Sequence, residues 1–265
     1  MGVNRYDFHS KPDCGMSNLY LVVALGAVIA GFVQGLSGFA FGMVAMSVWA
    51  WTLEPRLAAV LSLFGALTGQ IISAITVRRG FAWRSLLPFL LGGLLGIPVG
   101  VALLPLLDLQ LFKAVLGGFL MLWCPVMLFA HRLPPVHWGG RWGDALAGGI
   151  GGVMGGIGGF TGPIPTLWCS LRQMGKDEQR QIVQNFNLAT QLVAVSVYLQ
   201  QGLVTGAMLP LIGIVALALL VPTLLGARLY VGLSPARFRQ LVLGLLTASG
   251  VALLASSLSH LLSHA

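Results

Sequence analysis

Eight apolar runs, at residues 19–53, 57–77, 85–107, 111–130, 144–171, 181–199, 207–227 and 237–258, settle the kind of solvent in which this chain folds. No Asp, Glu, Lys or Arg falls in the middle of any run, and Glu54, Asp108 and Asp144 all stand at ends. Most runs are close to the ~20 residues that a helix needs to cross hydrocarbon. Charged residues make up 8% of the 265, whereas a soluble domain uses about 25% to cover its surface. The chain reads as an all-α polytopic membrane protein, because lipid offers the backbone no partners and helices satisfy it internally.

The net charge of +8 comes from basic residues set singly or in short groups between the runs. That distribution fits topology signals rather than a nucleic-acid patch, and no nucleic-acid partner is expected. Cys14, Cys124 and Cys169 are far apart and form no CxxC pair, so neither a disulfide framework nor a zinc site is indicated. His131 and His137 flank a Pro-Pro turn and read as surface residues. No metal and no cofactor is expected. Residues 1–18 form a polar segment without a cleavage signature, which reads as no signal peptide.

Two runs are odd. Run 19–53 would be about 50 Å long as one helix, too long for a single crossing. Its middle, Gly35-Leu-Ser-Gly-Phe-Ala-Phe-Gly42, is poor helix material. Run 144–171 has the same kind of middle, Gly155-Gly-Ile-Gly-Gly-Phe-Thr-Gly-Pro163. The two interruptions coincide when the chain is slid along itself: Gly35, Gly38 and Phe39 fall on Gly156, Gly159 and Phe160. Further along, Leu87-Pro88 falls on Leu209-Pro210, Pro98 on Pro222, and Phe112-Lys113 on Phe238-Arg239. This predicts a duplication: repeat 1 over 19–130, a cytoplasmic linker at 131–143, repeat 2 over 144–259, and a tail at 260–265.

Charge then chooses the topology. If every run crosses once, the 15 Lys and Arg split almost evenly between the faces. If each broken run enters and returns as a hairpin, Arg78, Arg79, Arg84, Arg132, Arg141, Arg172, Lys176, Arg180, Arg228, Arg237 and Arg239 share one face. Only Arg5, Lys11, Arg56 and Lys113 lie opposite. The second arrangement is the one the positive-inside rule expects. It gives two inverted repeats, each a broken helix hairpin plus three transmembrane helices, with hairpin arms of roughly 11 to 16 residues and both termini periplasmic.

Paired broken helices in inverted repeats are a recurring device of secondary transporters. Unpaired N–H groups at a helix start attract an anion in low dielectric, and glycine lets a solute approach the backbone. The candidate substrate-binding residues at the tips are therefore Gly35, Ser37, Gly38 and Phe39, with Gly158, Gly159, Phe160, Thr161 and Gly162. Ser37 and Thr161 add hydroxyl donors, and Pro163 suits the first position of a returning arm. In the following run Asn187 and Gln191 share a helix face, near Gln184 and Asn185, and join the candidate substrate-binding residues as amide donors to an oxyanion, the competing reading being hydrogen bonding between helices. Thr68, Gln70 and Ser73 occupy the comparable run of the first half. The competing reading of Gly31/Gly35, Gly92/Gly96/Gly100 and Gly151/Gly155/Gly159 is close helix packing.

At these hairpins the sequence resembles the TauE/SafE family of bacterial sulfite and organosulfur-anion exporters. The resemblance rests on Gly31-Phe-Val-Gln-Gly-Leu-Ser-Gly-Phe-Ala-Phe-Gly42, on Gly151-Gly-Val-Met-Gly-Gly-Ile-Gly-Gly-Phe-Thr-Gly-Pro163 and on Gly226-Ala-Arg-Leu229. It implies an inner-membrane protein, surrounded by the lipid bilayer, exporting sulfite, sulfoacetate or a related anion through a site at the two tips. It leaves the particular anion and pairing as a homodimer open. Two other classes remain: a membrane-embedded enzyme or thiol-transfer module using Cys124 or Cys169, and a non-transporting assembly subunit. No catalytic residues are expected, and the chain does not read as an enzyme.

Overall fold

The computed structural model describes residues 14–76, 80–130, 134–136, 138–229 and 235–263. Arg5, Lys11, Arg78, Arg79, His131, Arg132 and His137 lie outside them. Among the described residues the chain is all-helical, in the order α1 (Cys14–Ser37), α2 (Phe41–Trp49), α3 (Pro55–Thr76), α4 (Trp83–Leu103) and α5 (Leu109–Phe129), then α6 (Gly140–Gly158), α7 (Pro163–Leu171), α8 (Lys176–Gln200), α9 (Leu209–Leu229) and α10 (Pro235–Ser263). A long helix, a break, a nine-residue helix and three further helices thus occur twice. Six of the described helices are long and apolar enough to cross a membrane, so the chain is a multi-pass membrane protein.

The breaks fall where the glycines cluster, and each short helix folds back along the long one before it. The Trp49 indole N–H, at the end of α2, donates to Val22 O near the start of α1 at 3.3 Å. A Cβ on Gly26 would collide with that indole. In the second half, Trp168 of α7 donates to Asp144 Oδ1 near the start of α6 at 2.8 Å, and Gly143 makes room for its ring.

The arms differ from the lengths expected. α1 runs for 24 residues and α6 for 19, while each returning helix has nine. The reason is that Gly35 does not break the helix. It lies within α1 against Thr223, Gly226 and Ala227 of α9, and the chain turns only at Gly38, where φ reaches +81°. The membrane-length set accordingly includes Asn18–Ser37, and α10 contributes only the shorter apolar stretch Val242–Ser257.

Glycine sets how closely the helices meet. α4 and α6 run parallel, with Gly92 against Ala145, Gly96 against Gly149 and Gly100 against Val153. From the other side Gly148 meets Phe89, Gly152 meets Gly93 and Gly156 meets Ile97. α1 and α9 run parallel in the same fashion through Gly31, Gly35 and Gly226, with Thr223 Oγ1 donating to Gly31 O at 3.1 Å. α5 and α10 are antiparallel, Gly117 lying against Gly250 and Ser257 Oγ donating to Gln110 O at 2.9 Å. Small residues let backbones approach where hydrocarbon provides no hydrophobic drive for association.

α3 and α8 form the centre: 61% and 56% of their apolar windows are buried, against 22% for α9. In the core Phe41, Met43, Met46 and Trp49 of α2 join Leu61 and Leu63 of α3 and Tyr198 of α8. Bulky apolar side chains such as Leu95, Leu122 and Leu217 point outward, as the lipid surroundings require. The ends of the bundle are polar. At one end Arg56 donates to Gly202 O and Leu203 O, and the Lys113 ammonium lies 5.5 Å from the Trp51 ring. At the other, Ser85 donates to Glu178 Oε1 at 2.9 Å and Asn185 to Gly80 O at 3.1 Å.

Replacing Gly96 by Ala is expected to lower stability by about 1–3 kcal/mol, because the methyl meets the Gly149 carbonyl. Gly118→Ala, where nothing lies within 4 Å, is expected to be neutral or to stabilise by up to about 1 kcal/mol. Thermal unfolding of the two variants in detergent measures the contrast.

Candidate functional site

The two breaks meet in the middle of the bundle, between α3 and α8. At the first, the Gly38 N–H closes α1 on Gln34 O at 2.7 Å. The chain then turns so that Phe39 and Ala40 both donate their N–H groups to Ser37 Oγ, at 3.4 and 3.1 Å. The Phe41 N–H, first of α2, donates to Gln34 Oε1 at 2.9 Å. Gln34 also donates from Nε2 to Ala66 O of α3 at 3.2 Å, so one buried amide ties both sides of the break to the central helix. Gln70 of α3 donates to Gly38 O at 2.6 Å.

The second break repeats part of this arrangement. Gly159, with φ +79°, closes α6 on Gly155 O, and Gln191 of α8 donates to Gly159 O at 3.4 Å. Gln70 with Gly38 and Gln191 with Gly159 make the same contact at the same spacing in the two halves. Beyond that they diverge. Thr161 Oγ1 donates to Asn187 Oδ1 at 2.8 Å and accepts from Gln191 Nε2 at 3.3 Å. In the first half the matching positions are Ala40 and Ala66, and Gln34 bridges instead.

The breaks touch through apolar groups set against glycine. A Cβ on Gly162 would lie 2.7 Å from Phe39 Cβ and 3.0 Å from Asn187 Nδ2. One on Gly42 would lie 2.9 Å from Phe160 Cδ1. α3 and α5 brace the second break, with Ser62 Oγ donating to Gly158 O at 2.7 Å and Trp123 Nε1 to Pro163 O at 3.1 Å. Trp123 also packs edge-on against Phe39.

The structure therefore brings together Gly38, Phe39, Gly158, Gly159, Phe160, Thr161, Gly162, Asn187 and Gln191. Gly35 is elsewhere, packed on α9, and Ser37 sits on the exposed side of the first break with its oxygen accepting from the tip. Pro163 begins α7 as expected, but Pro165 follows two residues later, so Ile164 carries the one N–H in that stretch. The backbone donors anticipated at the breaks are thus partly engaged and partly missing. Beside them stands a side-chain donor: Asn187 is fully buried, and its Nδ2 has no hydrogen-bond partner among the described residues.

Sequence reasoning missed Gln34, Ser62 and Trp123. Gln34 carried a signal, as an amide inside an apolar run one helical turn before a glycine break. Ser62 and Trp123 carried none, because their roles come from contacts across 96 and 40 residues. At its outer end the second hairpin is clasped by a buried carboxylate: Asp144 Oδ1 accepts from Arg172 at 2.7 Å as well as from Trp168. Cys124 and Cys169 are both buried free thiols.

Paired hairpins whose tips meet between two central membrane helices, with amides rather than charges around them, describe a multi-pass helical protein with buried polar side chains gathered at the tips. Residues 23–253 match the sulfite exporter TauE/SafE family, and the chain belongs to that family of membrane transporters. Neither the curated proteins nor the solved structures contain a match to it.

Gln34→Leu is expected to lower stability by about 1–3 kcal/mol by stranding the buried Phe41 N–H. Hydrogen exchange should show faster exchange across residues 38–42, while a peptide from α5 stays unchanged.

Proposed function

We propose that the protein exports a small sulfur oxyanion across a bacterial inner membrane by alternating access, with the solute held where the two hairpin tips meet. The observation that carries this is the fully buried Asn187 amide, whose free donor lies beside Gly162, the glycine on which Phe39 of the other tip also packs. Gly38, Phe39 and Gly158 through Gly162 wall the site, while Thr161 and Gln191 orient Asn187. Ser37 caps the first tip, and Gly35 serves through the fit of α1 on α9. Anion binding by neutral donors in low dielectric is physically sound, because each hydrogen bond to a charged oxygen is worth more than one between neutral groups.

The halves are read as inverted repeats spanning 19–130 and 144–259. The pairing of helices supports this: α1 lies parallel to α9 as α6 does to α4, and α5 opposes α10. Thr161, Asn187 and Gln191 are at most 1% exposed, so a solute enters only when the tips part. The tip-to-tip contacts through Phe39 and Phe160 are van der Waals contacts, while the Ser62–Gly158 and Trp123–Pro163 hydrogen bonds across the halves must exchange partners when the tips part. Rocking of one half on the other would open each side in turn. An inside-negative potential drives an anion outward by about 2.3 kcal/mol per charge per 100 mV, so export needs no second ion.

In liposomes holding the purified protein, saturable sulfite efflux that grows with an imposed inside-negative potential is expected. Thr161→Val is expected to slow it about tenfold through loss of the hydroxyl that orients Asn187. A protein shown to be folded that carries no sulfur oxyanion at any potential would refute the proposal. For orientation, Arg84, Arg141, Arg172 and Arg180 are placed on the cytoplasmic face and both termini outside. A periplasm-dependent phosphatase fused after Ala265 should then be active, and an inactive fusion with normal abundance reverses the orientation.

A further inference from the structure

We infer that this site selects a singly charged oxyanion that still carries a hydroxyl, its bare oxygens accepting from Asn187 Nδ2 and its O–H donating to Gln191 Oε1. The inference rests on the transport reading above and refines the solute.

Two buried side-chain atoms on neighbouring turns of α8 have no hydrogen-bond partner among the described residues, and they are of opposite kind. Asn187 Nδ2 is a donor and Gln191 Oε1 an acceptor; the two residues are 0% and 1% exposed. They stand at the two ends of one chain of hydrogen bonds, from Gln191 Nε2 to Thr161 Oγ1 and from Thr161 Oγ1 to Asn187 Oδ1. That chain sets the orientation of both amides. Gln191 must turn its N–H groups to two acceptors, Gly159 O and Thr161 Oγ1, and the single Thr161 proton then goes to Asn187 Oδ1. The unmet pair is therefore one donor and one acceptor.

A fully deprotonated oxyanion satisfies half of this. Its oxygens suit Asn187 but set lone pairs against Gln191 Oε1. A second charge also raises the desolvation cost about fourfold, since that cost grows as the square of the charge. No cation is at hand to offset it: Asp144 is the one Asp, Glu, Lys or Arg among the described buried residues, and it lies at the outer end of α6, paired with Arg172. An oxyanion with one hydroxyl meets both ends of the chain. For inorganic sulfite this is the hydrogen form.

The test is efflux from liposomes holding the wild-type protein, at matched potential, of sulfite and of methanesulfonate, which has one charge and no hydroxyl. Sulfite efflux is expected to fall about tenfold between about pH 6 and about pH 8, following the hydrogen form of an acid that titrates near neutrality. Methanesulfonate efflux should be flat with pH and about tenfold below sulfite at the lower pH. In Gln191→Met the ratio of sulfite to methanesulfonate efflux at the lower pH should fall toward one. Sulfite efflux that is flat or rises with pH, or methanesulfonate that matches sulfite at the lower pH, overturns the inference and leaves a sulfur-oxyanion carrier standing. Efflux of neither anion removes the transport reading itself.

Discussion

Backbone against backbone, at glycine, is the contact on which everything else in this protein depends. Between α4 and α6 the residues Gly92, Gly96, Gly100, Gly148, Gly152 and Gly156 bring main chains together, and between α1 and α9 the residues Gly31, Gly35 and Gly226 do the same. In lipid, burying a leucine between helices gains little, because hydrocarbon surrounds it either way. Fit and dispersion must hold the helices instead. In this way the long arm of each hairpin is anchored on a helix from the other half, and its tip is carried to the centre on a rigid stem.

From that anchoring the site follows. α3 and α8 are the helices left in the middle, and they carry the polar side chains that the breaks require. Gln70 and Gln191 each support a carbonyl at a left-handed glycine, so the two breaks share a contact as well as a place in the helix order. The halves then part company. Gln34 fills the space beside the first break, whereas Gly155 leaves room for the Thr161 methyl beside the second. One tip is braced by an amide on its own helix. The other depends on Thr161 and α8, and the free donor lies there.

Much of this was legible in the chain. The glycine breaks and the hairpins followed from run lengths, and the shared face of Asn187 and Gln191 from spacing on a helix. The family resemblance is matched over most of the chain. Harder to read was which glycines bend and which pack. Gly35 and Gly38 look alike in sequence, but the first has a neighbouring helix against it and the second a left-handed backbone. That difference is decided by α9, far along the chain. The donors expected from the backbone also proved partly occupied, by Ser37 and Gln34 acting within the same tip. Pro163 and Pro165 were plain in the sequence, yet the unpartnered Asn187 Nδ2 beside them emerges only from the geometry.

The neutrality of the tips has a consequence for the proposed cycle. A carrier must return empty after each release, and the field across the membrane acts on whatever charge moves with that return. Here the empty centre presents amides, a hydroxyl and glycine backbone, so its return does no electrical work. Only the loaded step feels the voltage. The membrane potential then acts as a rectifier, hastening the outward stroke without slowing the recovery that follows it.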